Sequence, residues 1–239
     1  MRKAIAVGAI LAAAALTACA QSRTETGGPT VERDFQVGAF ERIEVAGHYD
    51  VEVRTGAAPS VHATGPEKEL ERLVVEVRGD RLLIHSRKSG IGMHWSSSGP
   101  MKIAVTVPKL SGASLAGSGG VNIDKVAGER FKGEIAGSGD LSVGSIEATL
   151  VELSIAGSGN ISAAGRARTA QYNIAGSGNI DAEKLTSETA DVSVAGSGNV
   201  TANATTTANV NSMGSGDIAL AGGAKCTVNK HGSGDVRCS

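Results

Sequence analysis

The feature that most constrains this chain is a tripeptide, Gly-Ser-Gly, that recurs at an almost fixed interval. Successive copies begin 20, 20, 19, 20, 18 and 18 residues apart. A short, nearly constant period of this kind indicates a solenoid, in which each repeat is one coil that rests on its neighbours. The seven copies begin at Gly117, Gly137, Gly157, Gly176, Gly196, Gly214 and Gly232.

Each triplet has the composition of a tight corner. Glycine adopts positive φ without a Cβ clash, and Asn and Asp tolerate the left-handed region while they bond to nearby backbone. In six of the seven copies, the residue directly after the triplet is Asn or Asp. In all seven copies, the second residue after the triplet is β-branched or Leu. We expect the Asn and Asp side chains to stack as a structural ladder along one edge: Asp140, Asn160, Asn179, Asn199, Asp217 and Asp235.

Apolar residues alternate on both sides of the corners. Val121 and Ile123 follow one triplet, and Leu153 and Ile155 precede another. A period of two on both sides of a corner predicts short strands, so that each unit forms one coil of an all-β, single-stranded parallel β-helix. Successive corners then stack at the strand spacing of about 4.8 Å. Alanines such as Ala182 in the inward columns predict a narrow core.

Two kinds of ligand-binding site also contain glycine-rich turns and are alternatives to a purely structural corner. A phosphate-binding loop requires a helix after the glycines, whereas this pattern predicts a strand after each triplet. Calcium-binding β-rolls repeat every nine residues with Asp in the motif, whereas this period is twice as long and often carries Asn. We therefore predict neither a metal ion nor a cofactor.

The N-terminal half carries a degenerate coil. Ile43 to Val53 reads I-E-V-A-G-H-Y-D-V-E-V, which matches the later corners, and the first coil is predicted to begin near Phe40. Pro66 to Leu73 has the pattern of a short helix, and further strands are expected at 60–64, 73–77, 82–86 and 101–107. We interpret residues 35–239 as one domain.

The opening I-x-V-x-G-x-x-D-V at Ile43 to Val51 and the serial Gly-Ser-Gly motifs up to Val236 resemble the putative autotransporter adhesin head GIN domain family. The resemblance covers about 200 residues. It implies a right-handed parallel β-helix, export from a bacterial cell, and a role in adhesion rather than catalysis. The chain ends at Ser239 without an outer-membrane barrel, so a lipid anchor is expected in its place.

The first residues have the pattern of an export signal. Arg2 and Lys3 precede an apolar segment that ends at Leu16-Thr17-Ala18-Cys19, which is similar to a bacterial lipobox. We predict a signal peptide at 1–18, lipidation of Cys19, and a flexible tether at 19–34. The expected location is the periplasmic or surface face of the outer membrane, with the membrane as partner through the lipid. Ordinary cleavage and secretion to the periplasm is the alternative.

Cysteine usage agrees with an oxidising compartment. With Cys19 assigned to the lipid, Cys226 and Cys238 remain as an even pair. We expect them to form a disulfide across the last coil, because each falls in an inward column on either side of the last corner.

Charge and composition restrict the function classes. The chain has 23 Lys and Arg against 24 Asp and Glu, which argues against nucleic acid as a partner. Outward positions are mostly Ser, Thr, Asn and Ala, without the recurring carboxylate pair of a glycosidase, so no catalytic residue and no enzyme is predicted. The alternative is a carbohydrate-active enzyme on a β-helix scaffold. Arg78-Gly79-Asp80 spells an integrin-binding tripeptide but is interpreted as a turn.

The segment from Arg87 to Gly99 carries the only Trp of the chain. His94 and Trp95 are candidates for ligand contact, and the alternative is that Trp95 covers the end of the coil. We expect an adhesion, binding or scaffold module for a glycan or an envelope protein, and self-association through a coil end stays open.

Overall fold

The computed structural model of the protein describes residues 29–87 and 101–239. The described residues form seventeen strands and one helix in a single mixed sheet that coils into a solenoid. The elements are β1 Thr30–Phe35, β2 Arg42–Gly47, β3 Asp50–Thr55, β4 Ser60–Pro66, α1 Glu67–Arg72, β5 Leu73–Arg78, β6 Arg81–Ser86, β7 Lys102–Val107, β8 Gly112–Gly117, β9 Gly120–Ile123, β10 Val126–Gly137, β11 Asp140–Gly157, β12 Asn160–Gly176, β13 Asn179–Gly196, β14 Val200–Gly214, β15 Ile218–Ala221, β16 Lys225–Gly232 and β17 Val236–Cys238.

The repeat forms the predicted column of corners. From β8 to β16, neighbouring coils pair in parallel, and their register sets the first glycine of each triplet against the first glycine of the next. The prediction of an all-β parallel solenoid is therefore confirmed. Strands β11, β12 and β13 continue around the coil over 18, 17 and 18 residues respectively.

Glycine is required at the corners because stacked backbones approach closely there. Gly157 has φ +135°, and a Cβ built on it would lie 2.2 Å from the carbonyl oxygen of Gly137. The second glycine is equally constrained, since a Cβ on Gly159 would lie 2.2 Å from the carbonyl oxygen of Gly139. The same carbonyls accept hydrogen bonds from the next coil, for example from Ser158 N to Gly137 O at 2.8 Å.

The core is narrow, and large and small inward residues compensate each other within a coil. Phe131 is buried beside Gly133, where a Cβ would come within 3.0 Å of the Leu141 and Leu153 side chains. Two coils later the order is reversed, because Ala170 is paired with Tyr172. These two coils thus each combine one large and one small inward residue, which fills a narrow core without overpacking it.

The degenerate coil in the N-terminal half is confirmed. Strand β2 pairs with β8 so that Gly47 lies against Gly117, and β3 pairs with β9. Phe40 is buried at the start of this coil. Tyr49 takes the place of the second glycine of the triplet, and its ring is buried at this corner.

The order of the coils corrects the sequence interpretation, because the coil of β2 and β3 is second and not first. Its other edge is covered by β6, which pairs with β2, and by β7, which pairs with β3. The chain therefore adds one coil outward and then returns past β2 and β3 to begin β8. The outer coil lacks the repeated triplet, so the periodicity gave no indication of its place.

Antiparallel strands close the N-terminal end. Strand β5 pairs with β6 in a hairpin, β4 pairs with β7, and β1 pairs with β4. Helix α1 is shorter than the predicted 66–73 and buries Leu70.

Strand β1 corrects the predicted boundary at residue 35, since the folded domain begins at Thr30 and residues 30–34 are not a tether. Val31 and Phe35 pack against the core. Arg33 Nη1 also donates to the Leu70 carbonyl at 3.1 Å, and His62 Nδ1 lies 2.7 Å from Asp34 Oδ1. These contacts hold a segment whose polar sequence resembles a linker.

The C-terminal end is closed by a covalent link. Among the described strands, β16 pairs with β14 alone and β17 with β15 alone. Cys226 and Cys238 form the expected disulfide, in the inward columns of Ala208 and Leu220 respectively. Cys226 is half-buried and Cys238 exposed, because no further coil of the described residues lies over them.

The corner geometry predicts a large cost for a single methyl group. Gly157→Ala places its Cβ against backbone that cannot move aside, and we expect the free energy of unfolding to fall by more than about 2 kcal/mol. Urea denaturation measures the change. Gly38→Ala is the control, since a Cβ there meets nothing within 4 Å and should be nearly neutral. Equal stability of the two variants would contradict the close-approach explanation.

The buried Tyr172 hydroxyl predicts a substitution that stabilises the protein. It has no hydrogen-bond partner among the described residues, and burial raises the pKa of this phenol well above its usual value. Tyr172→Phe removes an unsatisfied polar group while keeping the ring, so we expect a gain of about 1 kcal/mol in the free energy of unfolding. Tyr49→Phe is the matched control, because the Tyr49 ring is also buried but its hydroxyl is not a buried group without a partner, so its loss should not stabilise. A loss in the Tyr172 variant would show that the hydroxyl has a partner.

Candidate binding surface

Polar side chains form a continuous hydrogen-bonded ladder along the column of corners. Asn160 Nδ2 donates to Asp140 Oδ1 at 2.8 Å, Asn179 Nδ2 to Asn160 Oδ1 at 2.9 Å, and Asn199 Nδ2 to Asn179 Oδ1 at 2.9 Å. These are residues that the sequence placed in the ladder, and all of them are exposed.

The ladder has one direction, which its acidic ends determine. The Asp140 carboxylate only accepts, so the Asn160 amide must present its NH₂ group to it. Asn160 then offers its oxygen to Asn179, and the same orientation is passed on to Asn199. Asp217 cannot continue with a side-chain donor, and its backbone N–H donates to Asn199 Oδ1 at 2.9 Å instead. Asp235 N bonds to Asp217 Oδ1 in the same way, at 2.8 Å.

Further polar columns flank the corners. After the corner, Ser162 Oγ donates to Ser142 Oγ at 3.0 Å, and Thr201 Oγ1 donates to Asp181 Oδ1 at 3.0 Å. Before the corner, the outward column holds Ser154, Asn173, Ser193, Asn211 and Asn229. We call the surface formed by the ladder and these two columns the ladder face.

A shallow hollow of about 490 Å³ runs along the ladder face. Its floor is a column of exposed alanines directly before the triplets: Ala136, Ala156, Ala175 and Ala195. Ser154, Asn173 and Ser193 line it on the other side. Because alanine extends only one methyl group from the sheet, a ligand lying here reaches the flanking hydroxyl and amide groups.

The chemistry of the ladder face suits an uncharged polar ligand. Its side chains are mostly hydroxyls and amides, which both donate and accept hydrogen bonds, and they recur at the coil spacing of about 4.8 Å. An extended glycan or a polar protein surface presents matching groups. Among the residues that line the hollow, Glu134 at one end is the single carboxylate.

The Arg78-Gly79-Asp80 tripeptide forms the turn between β5 and β6, as predicted. Gly79 has φ +64°, and Arg42 Nε donates to Asp80 Oδ2 at 2.7 Å. This hydrogen bond lowers the pKa of the Asp80 carboxyl below its usual value. The carboxylate is therefore held within the molecule rather than offered to a partner.

Three residues singled out in the sequence, Cys19, His94 and Trp95, lie outside the described residues. Within residues 29–87 and 101–239, no group of three or more His, Cys, Asp and Glu side chains is arranged to hold a metal ion. In the same ranges no helix has both the length and the apolar character needed to cross a bilayer.

The sequence reasoning found the ladder but missed the hollow. The signal was present, since Ala precedes the triplet in five of the seven copies. Its meaning depends on the register, because only stacking turns one small outward residue per coil into a continuous depression.

Comparison with protein families gives one match over most of the folded chain. The model described as "Putative auto-transporter adhesin, head GIN domain" matches residues 39–224. Its adhesin description suggests an exported, non-enzymatic protein. None of the curated proteins compared with the chain matches it.

Solved structures share the fold over nearly their whole length. A putative adhesin from Bacteroides fragilis NCTC 9343 has a TM-score of 0.79 at 23% identity, covering 88% of this chain and 97% of that one. A putative lipid binding protein from Parabacteroides distasonis ATCC 8503 has a TM-score of 0.71 at 26% identity, with 89% and 98% covered. A putative adhesin from Parabacteroides merdae ATCC 43184 has a TM-score of 0.69 at 18% identity, with 89% and 97% covered.

The direction of the ladder predicts that Asn and Asp are not interchangeable. Asn179→Asp removes the donor to Asn160 Oδ1 and sets two acceptors against each other, and we expect a loss of about 1 kcal/mol at pH 7. Asp217→Asn keeps the oxygen that accepts from Asp235 N and adds a donor, so it should be neutral or stabilising. Denaturation midpoints measure both. Equal losses in the two variants would contradict a directional ladder.

Proposed function

Because the chain belongs to the family described as "Putative auto-transporter adhesin, head GIN domain", we propose that it is a non-enzymatic binding module of the bacterial envelope. It is anchored in the outer membrane through lipidated Cys19 and binds a glycan or an envelope protein along the ladder face. The observation that carries this proposal is the hollow with its alanine floor and its hydroxyl and amide groups, in which Glu134 at one end is the single charged lining residue.

The repeat gives such a surface an advantage for weak ligands. Each coil offers a similar set of hydrogen-bond donors and acceptors, so a repetitive ligand makes the same contact on several coils. The binding free energy of these contacts accumulates although the chain has no dedicated binding loop for each one. The stacked coils hold these groups in place before binding, which lowers the entropic cost of ordering them. Neighbours named as adhesins are in keeping with this role, and the neighbour named as lipid binding adds a membrane ligand to those worth testing.

The proposed arrangement of the chain follows from the anchor. Residues 1–18 act as the signal peptide, the lipid on Cys19 holds the protein in the membrane, and a tether ends where β1 begins at Thr30. Two or three acyl chains provide stable anchoring, whereas a single chain does not. The solenoid then projects the ladder face away from the bilayer.

The anchor is tested separately from the binding surface. Cells expressing the full chain are fed an alkyne fatty acid, and we expect label on the protein and its recovery with outer membranes. Cys19→Ser should lose both, while the double variant Cys226→Ser, Cys238→Ser keeps the label. Label in the Cys19→Ser variant would overturn lipidation at that residue. Protease treatment of intact cells then separates a surface adhesin, which is cleaved, from a periplasmic scaffold, which is protected.

The binding surface is tested by blocking the hollow. Full-length protein is applied to a glycan array and used for crosslinking in cells. Ala175→Lys and Ser193→Lys fill the hollow with long charged side chains, and we expect each to reduce retained ligand at least tenfold. Thr206→Lys is the matched control, since Thr206 is exposed on another part of the coil. A ligand unaffected by the first two variants would place binding elsewhere, and no reproducible glycan or protein ligand would overturn the proposal.

A further inference from the structure

A narrow groove crosses the solenoid at the coil formed by β8 and β9. The outward residues of this coil are all small or short, and they include Gly112, Ser114, Ala116 and Gly120. At Gly112, Ser114 and Gly120 the coils on either side carry longer side chains, which form two walls, whereas Ala116 lies between two further alanines. We call this depression the β8 groove.

The two outward glycines of the groove are less constrained than the corner glycines. Neither has positive φ, unlike the first glycine of each corner. A Cβ on Gly120 would lie 3.4 Å from Asp50 Oδ1, close to ordinary contact. One on Gly112 would lie 3.2 Å from the Lys132 carbonyl oxygen, so the backbone there would have to shift by a few tenths of an ångström. At the corners the corresponding distances are near 2 Å, so the groove glycines tolerate a side chain far better than the corner glycines.

Residues of like charge lie opposite each other on the two walls of the groove. Arg42 and Lys132 pair with Gly112 from opposite sides, so two cations flank the bare position. Two residues further along each wall strand, Glu44 and Glu134 flank Ser114. The backbone positions of the two sets are thus about 6.6 Å apart along the strand direction, and the flexible side chains span this distance to form ion pairs.

These groups enclose a cavity of about 190 Å³, which Arg81 completes on the cationic side. The ion pairs within it are exposed and can open at little cost. Lys132 Nζ lies 2.8 Å from Glu134 Oε1, and Arg81 Nη1 lies 3.6 Å from Glu44 Oε2.

Arg42 is held in place from outside the cavity. Its Nε and Nη2 atoms donate to the two oxygens of Asp80. The guanidinium is therefore fixed, and its Nη1 edge is left for a further acceptor.

We propose that this cavity binds a zwitterion that carries a phosphate and a primary ammonium. Two guanidiniums and a Lys suit the several oxygens of a phosphate, and a pair of carboxylates accepts the N–H groups of an ammonium once the exposed ion pairs open. The inference goes beyond the proposed function, because it concerns a charged ligand. The cavity shares Ser114 and Glu134 with the end of the hollow, whereas Gly112 and Lys132 line the cavity alone, so variants at these two positions test it separately.

Calorimetric titration of the full chain with O-phosphoethanolamine tests the proposal. We expect saturable 1:1 binding at least tenfold tighter than that of inorganic phosphate or ethanolamine alone. Equal affinity for inorganic phosphate would reduce the cavity to an anion patch and overturn the proposal. Absence of saturable binding would overturn it as well.

Three variants distinguish the cavity from general surface charge. Gly112→Val fills the floor and keeps every charge, and should weaken binding at least tenfold. Lys132→Met should weaken both O-phosphoethanolamine and phosphate, whereas Glu134→Gln should weaken only O-phosphoethanolamine. Arg168→Gln is the control, since Arg168 and Glu188 form an exposed pair on distant coils. Unchanged binding in the Gly112→Val variant, with its fold verified by circular dichroism, would overturn the site.

Vesicles distinguish the two sources of this chemistry. The full-length protein is extracted from the membrane and mixed with phosphatidylcholine vesicles that contain either phosphatidylethanolamine or phosphatidylglycerol. Flotation of the vesicles then measures how much protein is bound to them. Cavity-dependent binding to the former, lost in Gly112→Val, assigns a lipid headgroup. Binding of soluble O-phosphoethanolamine without vesicle binding assigns a free or glycan-linked group. Vesicle binding that all variants retain, without binding of the soluble compound, would overturn the cavity as its site.

Discussion

The structure depends on the close approach of stacked backbones at the glycine corners. At each corner the carbonyl of one coil accepts hydrogen bonds from the next, for example from Ser177 N and Gly178 N to Gly157 O at 2.8 and 3.1 Å. From β8 onward, a Cβ on the first or second glycine of a triplet would come within 2.4 Å of the carbonyl oxygen of the paired residue in the neighbouring coil. The corner therefore sets the register of the whole solenoid, since a one-residue slip would move a Cβ into the contact and turn each inward residue outward.

The sequence predicted those parts of the molecule that repeat. The triplet identified the corners, the period of two identified the strands, and the inward cysteines identified the disulfide. The position of the outer coil, formed by β6 and β7, was not predicted. It depends on which edge of β2 and β3 this coil covers, and the repeat pattern of the sequence does not indicate that edge. Strand β1 was missed for a related reason: its polar sequence resembles a linker until β4 provides a partner. The direction of the ladder also requires the register, since it follows from which acceptor Asn160 meets.

The two ends of the solenoid solve the problem of unpaired strand edges differently. At the N-terminal end, antiparallel strands and a helix cover the parallel coils. At the other end, β16 and β17 leave one edge unpaired, and Val228 is 42% exposed. Lys230 on β16 pairs with Ser212 on β14, and the residues of this column are buried in the earlier coils. A cation therefore occupies an inward position of the terminal coil. Inward-pointing charges on edge strands oppose the addition of further strands. The disulfide secures this coil without requiring a neighbour on the open side.

Where the chain departs from its own repeat is more informative about ligands than where it conforms. Conforming positions are explained by stacking: the glycines by close approach and the Asn residues by the ladder. Gly112 and Gly120 depart from the outward pattern in one coil, at sites less crowded than the corners, although a Cβ on Gly112 would lie 3.2 Å from the Lys132 carbonyl oxygen. The cations and carboxylates on the two walls are separated along the strands that flank this coil. A solenoid can vary its outward residues without cost to its core, so such local departures are where recognition of a particular ligand is most easily built.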